Sequence, residues 1–160
     1  MSRSFLYTIL VIILATGFEA CDKQRVFDEN QELKDNSWDQ SNKLRFTTTI
    51  TDSISAHTLY LNVRNAGWYP FSNLFIFVHT TLPNGAITID TAQCVLADDN
   101  GKWLGDGLGD LYDNRILFKK NFRFPQLGKY TFELEQAMRV NPLPGIMDAG
   151  IRIERAAAIK

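Results

Sequence analysis

Residues 58–80, TLYLNVRNAGWYPFSNLFIFVHT, decide the fold class. Leu59, Leu61 and Val63 alternate with Tyr60, Asn62 and Arg64. That two-residue period belongs to a strand with one buried face. Residues 74–79 are apolar at nearly every position, which predicts a central strand covered on both sides. The connection, 65–72, carries Asn65, Gly67, Pro70 and Ser72, residue types that turn a chain. It also carries Trp68, Tyr69 and Phe71, which a plain turn does not need. Tyr69–Pro70 is the candidate for a cis peptide bond, a form confined in practice to bonds before proline.

The same pattern spreads in both directions. Leu44, Phe46, Thr48 and Ile50 share one face of a strand, as do Tyr130, Phe132 and Leu134, and later Ile151 and Ile153. Ile116 and Phe118 mark another strand over 114–119. Residues 86–97 hold two phases, Ile87 with Ile89 and then Ala92, Cys94 and Leu96. A bulge or bend at Asp90-Thr91 would reconcile them. Pro83-Asn84-Gly85 and residues 98–101 are turns. No stretch has the 3.6-residue period of an amphipathic helix. About eight short strands separated by turns predict an all-β antiparallel sandwich, jelly-roll-like, with a barrel as the open alternative. Trp38, isolated in a polar stretch, is expected to plug the end of the core.

The first 20 residues read as a lipoprotein signal peptide. Arg3 precedes a thirteen-residue apolar run over 5–17. A bilayer span takes about 20 residues, so this length suits a signal-peptide core. Phe18-Glu19-Ala20-Cys21 follows, with Ala20 in place for a lipoprotein cleavage site and Glu19 departing from the usual pattern. Acylation of Cys21 would tether the mature chain to a membrane without spanning it. The competing reading is ordinary secretion, with cleavage after Gly17 and Cys21 free to pair with Cys94. The expected organisation is thus 1–20 signal, 21–42 tether and edge segment with Val26 and Phe27 starting an edge strand, 43–155 sandwich, and 156–160 frayed tail.

The chain has 160 residues and a formal charge of −1, one domain's worth without the basic footprint of a nucleic-acid binder. Its two histidines, His57 and His79, lack a second ligand at zinc spacing and read as surface or strand-end residues. No G-x-S-x-G elbow is present. Cys94 falls on an apolar strand face and reads as an inert buried thiol. The loop 98–110 carries Asp98, Asp99, Asn100, Asp106 and Asp110, which suits calcium by residue type but lacks the closing Glu of an EF-hand. Turn formation explains it equally. Gly105, Gly107 and Gly109 are not a dinucleotide fingerprint, since no strand–helix unit surrounds them. No cofactor, metal site or catalytic constellation follows, and an envelope hydrolase has only the histidines and the acidic loop behind it.

The aromatics remain. Trp38, Trp68, Tyr69, Trp103 and Tyr112 could stack on sugar rings, which makes a lipid-tethered glycan-binding module the alternative function. Sealing the ends of the sandwich is the commoner use of such residues. Trp68, Tyr69 and Trp103, where exposed, are the candidate partner-binding residues.

Certain runs of the sequence stand out together. They are Cys21 after a lipoprotein-type signal, Trp38 ahead of an alternating strand, and Tyr60-Leu61-Asn62-Val63-Arg64-Asn65. Tyr69-Pro70-Phe71-Ser72-Asn73-Leu74 and the runs 90–97, 101–105, 128–132 and 135–139 follow. Gly145-Ile146 and Gly150-Ile151-Arg152-Ile153-Glu154 complete the set. Together these runs resemble the gliding motility lipoprotein GldH family of the Bacteroidetes over nearly the whole mature chain. The resemblance implies a membrane-anchored cell-envelope lipoprotein, in either membrane, that supports gliding machinery and the secretion linked to it. It implies other envelope proteins as partners, and it supplies no catalytic residues.

Overall fold

A computed structural model describes residues 24–156. The expected signal peptide, Cys21 and most of the expected C-terminal tail lie outside the described residues. Among the described residues, eleven strands run in chain order: β1 (Arg25–Glu32), β2 (Ser37–Trp38), β3 (Leu44–Ile50), β4 (His57–Ala66), β5 (Asn73–Thr81), β6 (Ile87–Val95), β7 (Asp106–Leu108), β8 (Leu111–Phe122), β9 (Gly128–Gln136), β10 (Leu143–Pro144) and β11 (Ile146–Arg155). Three of these, β2, β7 and β10, have only two or three residues, and the remaining eight are the long strands the sequence predicts.

The strands form two facing antiparallel sheets, so the fold is a β-sandwich. One sheet has the order β1-β11-β4-β8-β7, the other β3-β9-β5-β6, and a small β10-β2 ladder closes one end. Alternation in β4 sets the core of the first sheet. Leu59, Leu61 and Val63 stand in register with Ile153, Ile151 and Ala149 of β11, and all six are buried. The second sheet presents Leu74, Ile76 and Val78 of β5 with Tyr130, Phe132 and Leu134 of β9. Trp38 lies fully buried in the β10-β2 ladder opposite Leu143 and donates from Nε1 to the Asn42 carbonyl at 2.9 Å. The expected plug is therefore packed, and its one polar atom is satisfied.

Both sheets and their shared core are built within the described residues. Their two open sides are bridged by side chains. At the β1/β3 side, Gln31 Nε2 donates to the Arg45 carbonyl at 2.6 Å. At the β6/β8 side, Lys119 and Asp90 form an ion pair at 2.7 Å.

The edge strand expected to start at Val26 and Phe27 is β1, at the edge of the five-stranded sheet and paired with β11 over most of its length. Three expectations are corrected. The strand at 74–79 is central in its sheet, between β9 and β6, but covered on one face only, and Phe77 lies partly exposed on the outside. Residues 90–91 contain no bulge, because β5 and β6 pair without a register shift from Asn73↔Val95 to Thr81↔Ile87. The two apolar phases of β6 instead belong to two faces: Ile87 and Ile89 point outward and Ala92 and Cys94 inward. The cis bond is Asn141–Pro142 and not Tyr69–Pro70.

Candidate functional site

The end of the sandwich where β4 runs out is built by three connections. Ala66 donates its N–H to the Gly145 carbonyl at 2.9 Å, Gly67 donates to the Asp110 carbonyl at 2.6 Å, and Tyr69 donates to the Ala66 carbonyl at 3.0 Å. These bonds tie the 65–72 loop to the β7–β8 hairpin and to the turn before β11. Gly145 has φ +85° and sits under the loop, where a Cβ would press on Trp68 at 3.2 Å and on the Tyr69 Cα at 3.1 Å. Only glycine combines that backbone angle with so close an approach.

Within the loop, neighbouring aromatics have opposite fates. Tyr69 is 4% exposed, and its hydroxyl donates to the Asn73 carbonyl at 3.0 Å. Burial pushes that phenol well above its usual range. Trp68 is 59% exposed, with its ring lying beside Gly145. Trp103 is half-buried, its ring 6.4 Å from Tyr69 and 5.7 Å from Tyr112, tilted by 44° and 34°. Leu108, 85% exposed, and Leu111 lie on the adjoining hairpin. The structure thus brings the three predicted aromatics to one end and presents one of them, Trp68, with exposed leucines nearby. Trp38 and Tyr69 are inside and the Trp103 and Tyr112 rings are tilted to each other, so the five do not make a flat sugar-stacking platform.

The outer face of the five-stranded sheet carries a second feature that sequence reasoning missed. Arg152, only 5% exposed, pairs with Asp28 and with Glu154 at 2.5 Å. Arg64 pairs with Asp113 at 2.6 Å and with Asp148 at 3.2 Å. Asn62 donates to Asp28 and Asn30, both at 3.0 Å. Asp28, Asn30, Asn62, Asp113 and Asp148 of this network line a polar concavity of about 380 Å³. Burial raises the Asp148 carboxyl above its ordinary value, against the opposing pull of Arg64. The alternation Tyr60-Asn62-Arg64 marks this face as polar, but only the register with β11 and β8 shows that its charges neutralise one another. Asp28, Asp113 and Asp148 each face a guanidinium or an amide and stabilise the sheet.

The remaining candidates fall into place. His57 opens β4 but is buried against Phe124, and desolvation lowers its pKa. His79 bonds Glu135 at 2.9 Å across β5 and β9. Cys94 is fully buried, and desolvation pushes its thiol up to about 12. Asp98 accepts the N–H groups of Asn100 and Lys102, each at 2.9 Å, which is the geometry of its own turn. Among the described residues, no group of three or more His, Cys, Asp or Glu stands together as a metal site. Among them, too, no helix is long and apolar enough to cross a membrane.

No solved structure matches the chain. A gliding motility lipoprotein GldH homolog of Christiangramia forsetii is 35% identical over 159 residues, covering 95% of this chain and 93% of that protein. The gliding motility lipoprotein GldH of Flavobacterium johnsoniae is 32% identical over 153 residues, covering 91% and 94%. The GldH lipoprotein family model matches residues 25–153, from the first residue of β1 nearly to the end of β11. With the whole sandwich inside that match, the chain belongs to the GldH lipoprotein family.

Proposed function

We propose that this protein is a non-enzymatic cell-envelope lipoprotein, anchored through acyl groups on Cys21, that supports gliding machinery and associated secretion by contacting other envelope proteins. The relatives named above are gliding motility lipoproteins, which supports the process and the anchor. The observation that carries the molecular role is Trp68, a large aromatic displayed on a hydrogen-bonded loop beside exposed Leu108. A fixed aromatic loses little side-chain freedom on binding and buries much area, which is why such residues dominate protein interfaces.

In-cell cross-linking of wild type and of Trp68→Ser tests the reading. Truncating an interface anchor costs about 2 kcal/mol or more, roughly thirtyfold in affinity. Trp68→Ser should therefore lose its cross-linked envelope partners and impair surface movement or cargo export, with the melting temperature unchanged. Wild-type cross-links and movement in the variant would refute the Trp68 contact. Cys21→Ala should leave the membrane fraction, and its retention there would refute the anchor.

A further inference from the structure

At the opposite end, near His57, the two sheets do not close on each other. An apolar cleft of about 370 Å³ remains between them. Its floor is core: Leu59, Tyr130 and Phe132 are each 1% exposed. Phe118 and Phe122 form a wall, and Thr88, Asp90, Lys119 and Arg123 stand at the mouth.

Two of those mouth residues violate the rule that built the rest of the core. Asp90 stands in register with Val78, which is fully buried, so it occupies an inward position of β6. Lys119 stands in register with buried Leu59, so it occupies an inward position of β8. Lys119 arrives there because the β4–β8 register slips between Tyr60 and Leu59, with a second slip beyond it between Leu59 and His57. Residues Ile116 and Leu117 keep the ordinary alternation, and the first slip turns Lys119 in where continued packing calls for an apolar side chain. The two charges meet across the gap at 2.7 Å, and Lys119 Nζ lies 5.1 Å and 5.2 Å from the Phe118 and Phe122 ring centres. Conflicts between local pattern and fold concentrate at functional sites.

From these observations we infer that the cleft binds the hydrocarbon chain of a free fatty acid, with the carboxylate on Lys119 and Arg123. The volume falls within the roughly 300–1,000 Å³ of small-molecule sites. The apolar floor suits a methylene chain. Lys119 and Arg123 outweigh Asp90 at the mouth, so the rim favours an anionic headgroup. The carboxylate displaces Asp90 from Lys119 and exchanges one ion pair for another. Position supplies the ligand: β1 begins at this end, where Arg25 pairs with Glu154, so the cleft lies at the end nearest the anchor proposed above. Supply at a membrane surface rests on that anchor, while binding itself does not.

The probe is dodecanoic acid, titrated calorimetrically into residues 22–160, which hold both sheets and carry no acyl group of their own. Saturable one-to-one binding is expected. The methyl ester and Lys119→Met should each bind about tenfold more weakly, as loss of a charge-assisted bond requires. Asp90→Asn should tighten binding several-fold by freeing Lys119, and Thr88→Trp should block the mouth. Where Lys119→Met fails to fold, Arg123→Gln and the methyl ester read the same interaction on folded protein. Absence of saturable binding to wild type overturns the inference. So does equal affinity for acid and ester, or weaker binding by a folded Asp90→Asn variant, since the ion pair would then be only a clasp.

Discussion

Gly150 stands in the middle of β11, paired with Asn30 on one side and Asn62 on the other. A methyl group there would overlap the Glu29 carbonyl oxygen and Asn30 Oδ1 and come within 2.8 Å of the Asn30 Cα. The Asn30 side chain can swing away, although it would release its bonds to Asn62 and Asp148. The carbonyl and the Cα cannot move without moving β1. Gly150→Ala should therefore lift β1 from β11 along part of its length. Overpacking alone costs about 1–3 kcal/mol. Disturbing a seven-pair edge ladder places the loss at the upper end, about 3 kcal/mol. Unfolding entropy of about 2.1 cal/mol/K per residue then lowers the melting temperature by roughly 10 °C. Thermal unfolding followed by circular dichroism measures the shift. Hydrogen exchange locates it, with faster exchange confined to the amides of β1 and the β11 groups facing them. A melting temperature within about 2 °C of wild type, with β1 amides still protected, would refute the reasoning.

Other expectations are read from the same scaffold. Arg152→Ala leaves Asp28 and Glu154 without their buried cation and should cost about 3 kcal/mol, whereas Arg152→Met, which keeps the packing, should cost less in denaturant titrations. The Cys94 thiol, pushed up to about 12, should resist maleimide at neutral pH until denaturant is added. His57 has a folded pKa below its ordinary 6.5, so its contribution to stability is complete above that value and declines as pH falls below it. Melting temperatures from pH 7.5 to 5.5 should show that decline, and His57→Phe should flatten it.

How far the sequence shows the fold depends on how each strand faces its neighbours. β4 was readable because one face is core throughout its length, so its alternation is complete. β5 looked fully enclosed because Phe75 and Phe77 lie on its outer face, opposite Gln93 and Thr91 of β6. Apolar side chains on a sheet's outer face imitate burial, and no single strand reveals which face they occupy. β8 was the least readable, because slips in its pairing reverse the facing of residues without leaving a mark in its own composition. That is why Ile116 and Phe118 marked the strand while the inward turn of Lys119 beside them left no sign, whereas Asp90 of β6, paired without a slip, read as the centre of a bend. At the other end, Trp68 and Tyr69 are adjacent in the chain, and only the loop's bonds to Ala66, Gly67 and Asn73 decide which ring faces water. The charge network around Arg152 was out of reach for the same reason, since its members come from strands far apart in the chain.

β4 has a mechanical consequence as well. It begins with His57 beside the cleft and ends with Ala66 under the Trp68 loop, ten residues that rise about 3.3 Å each. A stiff spacer of about 30 Å therefore separates the end where β1 begins from the aromatic tip. Tethered at Cys21 with that end down, the protein would hold Trp68 well clear of lipid headgroups, at a height fixed by one strand. Partners would then be selected by their reach above the bilayer as much as by their complementarity to the ring.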